Sequence, residues 1–342
     1  MMTKIRNKKI HAVVFSAACL LFGSVSSQKV FAQAVDNFPN RPITIIIPFT
    51  AGGSSDLTAR RVGDAMGKVL KQPIIVQNLP SAGGIFGVNS VVKAPKDGYT
   101  LLAGTISTHA INAGLYKNLP YDPLKDFVPI TRIGSFPNIL VVQSSLKINT
   151  LPQLIELARQ RQAQGKPLNY ASGGVGSTSH LGGELLRQVA GVEMIHVPYK
   201  GAAGAMGDLL GGRIDLIFGN SQLVLPHIKT GQLVPLAVTT SARSDLLPNV
   251  PTVAEIGFAE AEMSVWIGLF APAGIPEVVA NKLSAAALQA LTSPEVLSGF
   301  TAEGVFIEKD ESPAQFLTEL SRQVALWKKV IDKAGIAIEI GQ

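Results

Sequence analysis

The chain has 342 residues, 46% of them hydrophobic, and carries a formal net charge of +6. That is enough apolar material for one large or two medium domains with real cores. The 33 Gly and 21 Pro are spread along the chain, which excludes a low-complexity polymer, and no fixed internal period marks a repeat protein.

Lys4, Arg6, Lys8 and Lys9 form a basic start, an apolar run follows from Ala12 to Phe22, and Ala32-Gln33-Ala34 has the small-residue form of a cleavage site. Residues 1–34 therefore read as a secretory signal peptide, cleaved after export. The competing reading is an N-terminal membrane anchor, but the apolar run is short for a span of about 20 residues. No later stretch is long and apolar enough to cross a membrane, so the mature chain is expected to be soluble and exported. The removed segment carries five Lys or Arg and no acid, so the net charge of +6 falls to +1. The basicity belongs to the leader, and no nucleic-acid partner is expected. Cys19, the single cysteine, leaves with it. A lipidated Cys19 is the other reading, but Ser16-Ala17-Ala18 lacks the usual bulky aliphatic residue. The mature chain then has no disulfide, thiol nucleophile or thiolate ligand.

In chain order, "RPITIIIPF" predicts a buried strand and residues 56–70 a helix, with Val62, Met66, Val69 and Leu70 at helical spacing. "QPIIVQN" predicts a second strand, "SAGGIFGVNSVVKA" a glycine turn into a helix, and "DGYTLLAGT" a third strand after an Asp-Gly turn. Alternating strands and helices of this kind build a parallel sheet with helices on its faces. A second unit begins near Ile139 with the strand "NILVVQ", followed by a helix capped by Thr150. "LNYASGG", "EMIHVPY" and "IDLIFGN" are strands, with helices at "STSHLGGELLRQVAG" and "GAAGAMGDLLGG" between them. After Ala237 the chain is Pro-rich to Pro251; "VWIGLFAPAGIP" then leads into a helix from Pro276 to Leu291 and two more. This C-terminal part adds few strands and is expected to pack back on the first unit. The fold class is therefore α/β with two lobes: 35–138 and 257–342 form the first, 139–256 the second. A ligand cleft is expected where strand ends of the two lobes face each other.

Three loops share one grammar. "PFTAGGSSD", "ASGGVGSTSH" and "YKGAAGA" each leave a strand and open a helix. Glycines let the backbone come close to a ligand, and free N–H groups with the helix dipole favour an anion. Ser54, Ser55, Ser177 and Thr178 add hydroxyls. Ordinary βα turns with Ser or Asp caps are the plain alternative; three such loops on two lobes favour a site. Neither G-x-x-x-x-G-K-[ST] nor a G-x-G-x-x-G after the first strand is present, so these are not nucleotide loops. No G-x-S-x-G elbow and no metal-ligand spacing among His109, His180, His196 and His227 is present. No cofactor or metal is expected, and the chain is expected not to be an enzyme. The one conceivable nucleophile pair is Ser177 with His180. His196, between apolar neighbours, reads as structural. Asp56 reads as a helix cap or an orienting group, Lys200 as a solvated charge or a counter-charge, and Trp266 as core or cleft wall.

The same stretches, with "PKDGYTLL", "YDPLKDFVPI", "PLAVTTSARSDLLPNVPTVAEIGF" and "GLFAPAGIP", resemble the Bug-type periplasmic solute receptors of tripartite tricarboxylate transporters. The resemblance covers nearly all of the mature chain in order. It implies a type II "Venus flytrap" binding protein, monomeric, that captures a small carboxylate and delivers it to integral membrane transporter subunits. The carboxylate class it implies is amino dicarboxylates, di- or tricarboxylates, or aromatic acids. A ligand-loaded sensor of a membrane kinase is the alternative partner reading. In the family a ligand carboxylate is held by backbone N–H groups and water from the first and fourth βα loops. Carried over, the ligand-binding residues are Phe49, Thr50, Ala51, Gly52, Gly53, Ser54, Ser55 and Asp56 on one loop. Ser172, Gly174, Val175, Gly176, Ser177, Thr178 and His180 are on the other, joined by Thr105, Ser107, Lys200, Gly201, Ala202 and Asn220. Many members have an acidic residue before Asn where this chain has Gly219-Asn220, so contacts at that rim are left open.

Overall fold

Strand β1 (Ile43–Ile47) is an uninterrupted β-branched run whose Ile43, Ile45 and Ile47 are fully buried, as a strand covered on both faces requires. The computed structural model describes residues 37–259, 262–308 and 311–338. The segment expected to be a signal peptide, residues 1–34, and with it Cys19, lies outside them. Contacts divide the chain into Met1–Asn40 and Arg41–Gln342; the account below concerns the second unit.

β1 leads into α1 (Ser54–Leu70), β2 (Ile74–Asn78), α2 (Ile85–Val92) and β3 (Thr100–Thr105). α1 begins two residues before the expected start and buries Ala59, Val62 and Met66, its 3.6-period stripe. A π-type turn at Ser107–Ile111 and the short α3 (Asn112–Leu115) precede β4 (Phe127–Gln143). Then come α4 (Leu151–Ala163), β5 (Leu168–Ser172), α5 (Thr178–Ala190), β6 (Met194–Pro198), α6 (Met206–Leu210) and β7 (Leu216–Asn220). The chain ends with α7 (Ser221–Lys229), β8 (Leu233–Val238), β9 (Ser264–Pro272), α8 (Glu277–Leu291), α9 (Pro294–Glu303) and α10 (Pro313–Ala334).

The strands form one mixed sheet in the order β2-β1-β3-β9-β4-β7-β5-β6, with β8 on the free side of β4. β1 pairs in parallel with β2 and β3, and β5 with β6 and β7; all pairings of β4 and β9 are antiparallel. The result is an α/β fold, as the sequence predicts, with a mixed sheet in place of an all-parallel one.

β4 corrects the expectation of a strand starting near Ile139. It has 17 residues and begins at Phe127. Its first part pairs with β9 as far as Pro137↔Ser264, and from Asn138↔Asn220 onward it pairs with β7. Pro129 and Pro137 hid the first part, because proline is uncommon inside a paired strand. Register shifts against β9, between Pro129 and Thr131 and between Arg132 and Gly134, accommodate it. Helix α7 and strand β8 were also missed; α7 carries Pro226 inside it, which interrupts the helical signal. Thr150 caps α4 as expected, accepting from Gln153 N–H at 3.4 Å.

Candidate functional site

The three glycine loops meet in space. The Thr50 N–H donates to the Lys200 carbonyl at 3.3 Å, joining the first loop to the third. A Cβ on Gly201 would collide with Thr50 Oγ1, and one on Gly173 would stand 3.2 Å from Ala202 N. So the third loop touches both others, and glycine is what allows it: Gly201 has φ +142. Further contacts lie alongside. Thr58 Oγ1 donates to Gln222 Oε1 at 3.2 Å, and the Tyr116 hydroxyl to the Val175 carbonyl at 3.4 Å.

The first loop is held by a chain of polar contacts. Asp56 Oδ2 accepts from Gly52 N–H at 2.9 Å and its Oδ1 from Arg60 Nε at 2.9 Å. Arg60 continues to Asn78 Oδ1 at 3.0 Å, and Asn78 Nδ2 donates to the Phe49 carbonyl at 3.1 Å. Burial works against the Asp56 anion, but the Arg60 and Gly52 hydrogen bonds prevail and its pKa lies below the ordinary value. Asp56 is thus a brace with both oxygens occupied. It is not the helix cap: Gly53 is the cap residue of α1 and offers no side-chain acceptor. The first-turn N–H groups of α1 therefore have no side-chain cap from the chain itself.

The second loop is different. Gly173 N–H donates to Ser179 Oγ at 2.9 Å, Gly174 N–H to Ser172 Oγ at 3.0 Å, and Gly176 N–H to His180 Nδ1 at 3.4 Å. Three backbone donors are spent inside the loop, and two of them, Gly174 and Gly176, were expected to face a ligand. Ser172 Oγ lies 2.6 Å from His196 Nε2, and the His196 ring is 4.4 Å from that of His180. Burial pushes His180 down and His196 to about 4, the latter helped by His180 beside it. Both imidazoles are neutral near pH 7 and support the loop from beneath. Ser177 caps α5, its Oγ accepting from His180 N–H at 3.3 Å and donating to the Gly174 carbonyl at 2.6 Å. That geometry does not align the His180 ring with the Ser177 hydroxyl as a base would be.

Between the loops lies a cleft with a cavity volume of about 70 Å³. Of the expected residues, Phe49, Thr50, Gly53, Ser54, Ser55, Thr105, Ser107, Ser177, Thr178, Gly201, Ala202 and Asn220 line it. Ala51, Gly52, Asp56, Ser172, Gly174, Val175, Gly176, His180 and Lys200 are outside that lining. The Lys200 side chain is exposed. Trp266 is core, 1% exposed, with Nε1 donating to Gln323 Oε1 at 2.6 Å. Its neighbours Val265 and Ile267 line the cleft, as do Phe136, Gly173, Ser179, Phe218 and Leu223. Sequence reasoning missed these because they sit on β4, β7, β9 and α7, where an apolar cleft wall and a core face read alike; only Gly173 and Ser179 carried a loop signal. Among the described residues no cluster of three His, Cys, Asp or Glu could hold a metal ion.

A family model described as the tripartite tricarboxylate transporter family receptor matches residues 58–336. The chain belongs to this family. This receptor is 39% identical, over 89% of its length and 87% of the relative's, to an Agrobacterium vitis protein described as the UPF0065 protein in the TAR-I ttuE-ttuC' intergenic region. Its fold matches that of the periplasmic binding protein BugD with a TM-score of 0.84 and 31% identity, covering 88% of this chain and 100% of that one. An R. palustris protein solved with adipate matches at a TM-score of 0.82 and 35% identity, over 89% of the receptor and 100% of that chain. The family is described as one of receptors and BugD as a periplasmic binding protein, and the chain is a binding protein of this kind, not an enzyme.

Proposed function

We propose that the receptor captures a small carboxylate in this cleft and hands it to the integral membrane subunits of a tripartite transporter. One observation carries the reading. Thr50 Oγ1 and Ser54 Oγ line the cleft, are buried, and have no hydrogen-bond partner. Leaving a buried hydroxyl unpaired costs about 1–3 kcal/mol, and an anion arriving at the uncapped start of α1 supplies the missing acceptor. The family description and the adipate of the R. palustris relative support a carboxylate as that anion. Phe49, Gly53, Ser55, Ser177, Thr178, Gly201 and Ala202 complete the loop side of the site, with Thr105, Ser107 and Asn220 at its strand ends.

The lobes in this reading are 35–138 with 257–342, and 139–256, which the change of β4 partner after Pro137 supports. Residues 1–34 direct export, and the mature receptor acts as a monomer. A thermal shift screen against a carboxylate library tests the function. A ligand at about 100 times its Kd raises stability by about 2.7 kcal/mol. A shift produced by sugars or cationic amines, with none from any acid, removes the proposal.

A further inference from the structure

We infer that Gln222 is the clasp of the closed cleft: a positioning residue that touches no ligand, joins the two lobes through Thr58 and Glu303, and sets the affinity for every ligand by one common factor. The inference rests on the lobes and the cleft as read above. Helix α9 is fastened to α1. Lys68 pairs with Glu295 at 2.7 Å, Arg61 pairs with Glu303, and the Arg61 guanidinium lies where a Cβ on Gly299 would stand. A Cβ on Gly134, in the first part of β4, would meet Val305 and Thr58, so α1 and the end of α9 sit together on that part of the strand. Helix α7 leaves β7, beyond the point where β4 changes partner. Its first turn is what meets α1 and α9.

Gln222 uses both ends of its amide. Oε1 accepts from Thr58 Oγ1 at 3.2 Å, and Nε2 donates to Glu303 Oε2 at 2.7 Å. Beside it, Ser221 Oγ donates to the Glu303 carbonyl at 3.0 Å. The carboxylate decides which way the amide points, because its N–H end alone can face an anion and its oxygen alone can take the Thr58 proton. Thr58 and Gln222 are both buried, so either group left unpaired in the closed form carries the penalty of its lost water. None of Thr58, Arg61, Gln222 and Glu303 lines the cleft, whereas Asn220 and Leu223, to either side of Ser221 and Gln222, do. The clasp is made of protein atoms alone and follows closure without reading the ligand. Such a contact raises the closed fraction before any ligand arrives, and apparent affinity scales with that fraction whatever the ligand.

Three receptors decide it: the parent, Gln222→Glu, and the double exchange of Gln222→Glu with Glu303→Gln. The single substitution sets carboxylate against carboxylate and removes the donor. The double exchange restores each bond with the charge moved: the new carboxylate accepts from Thr58 and from the new amide, whose oxygen accepts from Arg61. Small-angle scattering without ligand is expected to give a larger radius of gyration for Gln222→Glu and the parent value for the double exchange. Calorimetry with adipate, malate and benzoate as probes is expected to show every probe that binds the parent weakened about tenfold by Gln222→Glu and restored by the double exchange. Identical scattering from all three receptors, or a double exchange as impaired as the single one, overturns the inference. So does a loss confined to one of several binding probes, which would put Gln222 in contact with ligand. Failure of all three probes to bind the parent counts against the carboxylate reading, and the scattering then decides the clasp by itself.

Discussion

The backbone N–H of Thr50 and the carbonyl of Lys200 are joined at 3.3 Å, so the loop after β1 and the loop after β6 meet over the cleft. Gly201, next to Lys200, makes that approach possible. Gly201→Ala places a methyl group against Thr50 Oγ1 at a φ of +142 that L residues rarely adopt. The expected outcome is a loss of ligand affinity of about tenfold or more, about 1.4 kcal/mol, from opposing this contact. Calorimetry beside a denaturation curve separates this from global unfolding.

Ser54→Ala has opposite signs for stability and binding. The Ser54 hydroxyl is buried and makes no hydrogen bond within the protein, so removing it is expected to leave the stability of the fold unchanged or slightly raised. A hydrogen bond to a charged ligand contributes about 1.5–3 kcal/mol, and affinity is expected to fall by that amount. Equal binding by the variant and the parent removes Ser54 from the site.

Asp56→Asn tests the brace. Asp56 does not line the cleft, yet it fixes Gly52 and Arg60. The substitution is expected to weaken every ligand by a similar factor of a few, because the loop must then be ordered on binding. A change in ligand preference would instead place the carboxylate in direct contact.

Acid stability is expected to depend on His109. It is fully buried, stacked at 4.0 Å on Phe270, and burial lowers its pKa to about 3 from an ordinary 6.5. The unfolded chain takes up this proton below about 6.5 and the folded chain does not until about 3. Stability from this group is thus fully present above 6.5 and falls by about 1.4 kcal/mol per pH unit through that window. Urea unfolding of the parent and of His109→Phe from pH 7 to 4 should show a shallower decline in the variant; parallel curves count against it.

Ligand binding is expected to favour the closed form. Contacts such as Thr50 with Lys200 and Thr58 with Gln222 lie across the cleft and are expected to be lost when it opens, which is the differential affinity that a population shift needs. The bending points are expected near Pro137 and in the segment before Trp266. Small-angle scattering should give a smaller radius of gyration at saturation, and superimposable curves would indicate a preformed cleft.

The glycine loops were legible in the sequence because strand, glycine pair and hydroxyl-rich helix start stand together in it. Their inner bonding was not. Nothing local distinguishes Gly174, whose N–H is taken by Ser172, from Gly53, which opens on the cleft. The alternating strands and helices gave the fold class, while β4 was half hidden by its prolines. The apolar wall was illegible for a simpler reason. Phe136 and Ile267 are as buried as core residues, and only tertiary structure separates a side chain facing a cavity from one facing other carbon.

β4 also governs how the receptor can be cut and recombined. Because one strand serves β9 with its first part and β7 and β8 with its second, neither part of the sheet is a cassette. A graft that exchanges the apolar lining of the cleft between two relatives has to break β4 after Pro137 and again cut the return segment ahead of β9. Each cut severs the chain while leaving a strand edge that needs a partner of matching register. Exchange of single lining positions, Phe136, Phe218, Leu223, Val265 and Ile267, keeps every strand pairing and is the accessible way to reshape the cleft of this scaffold.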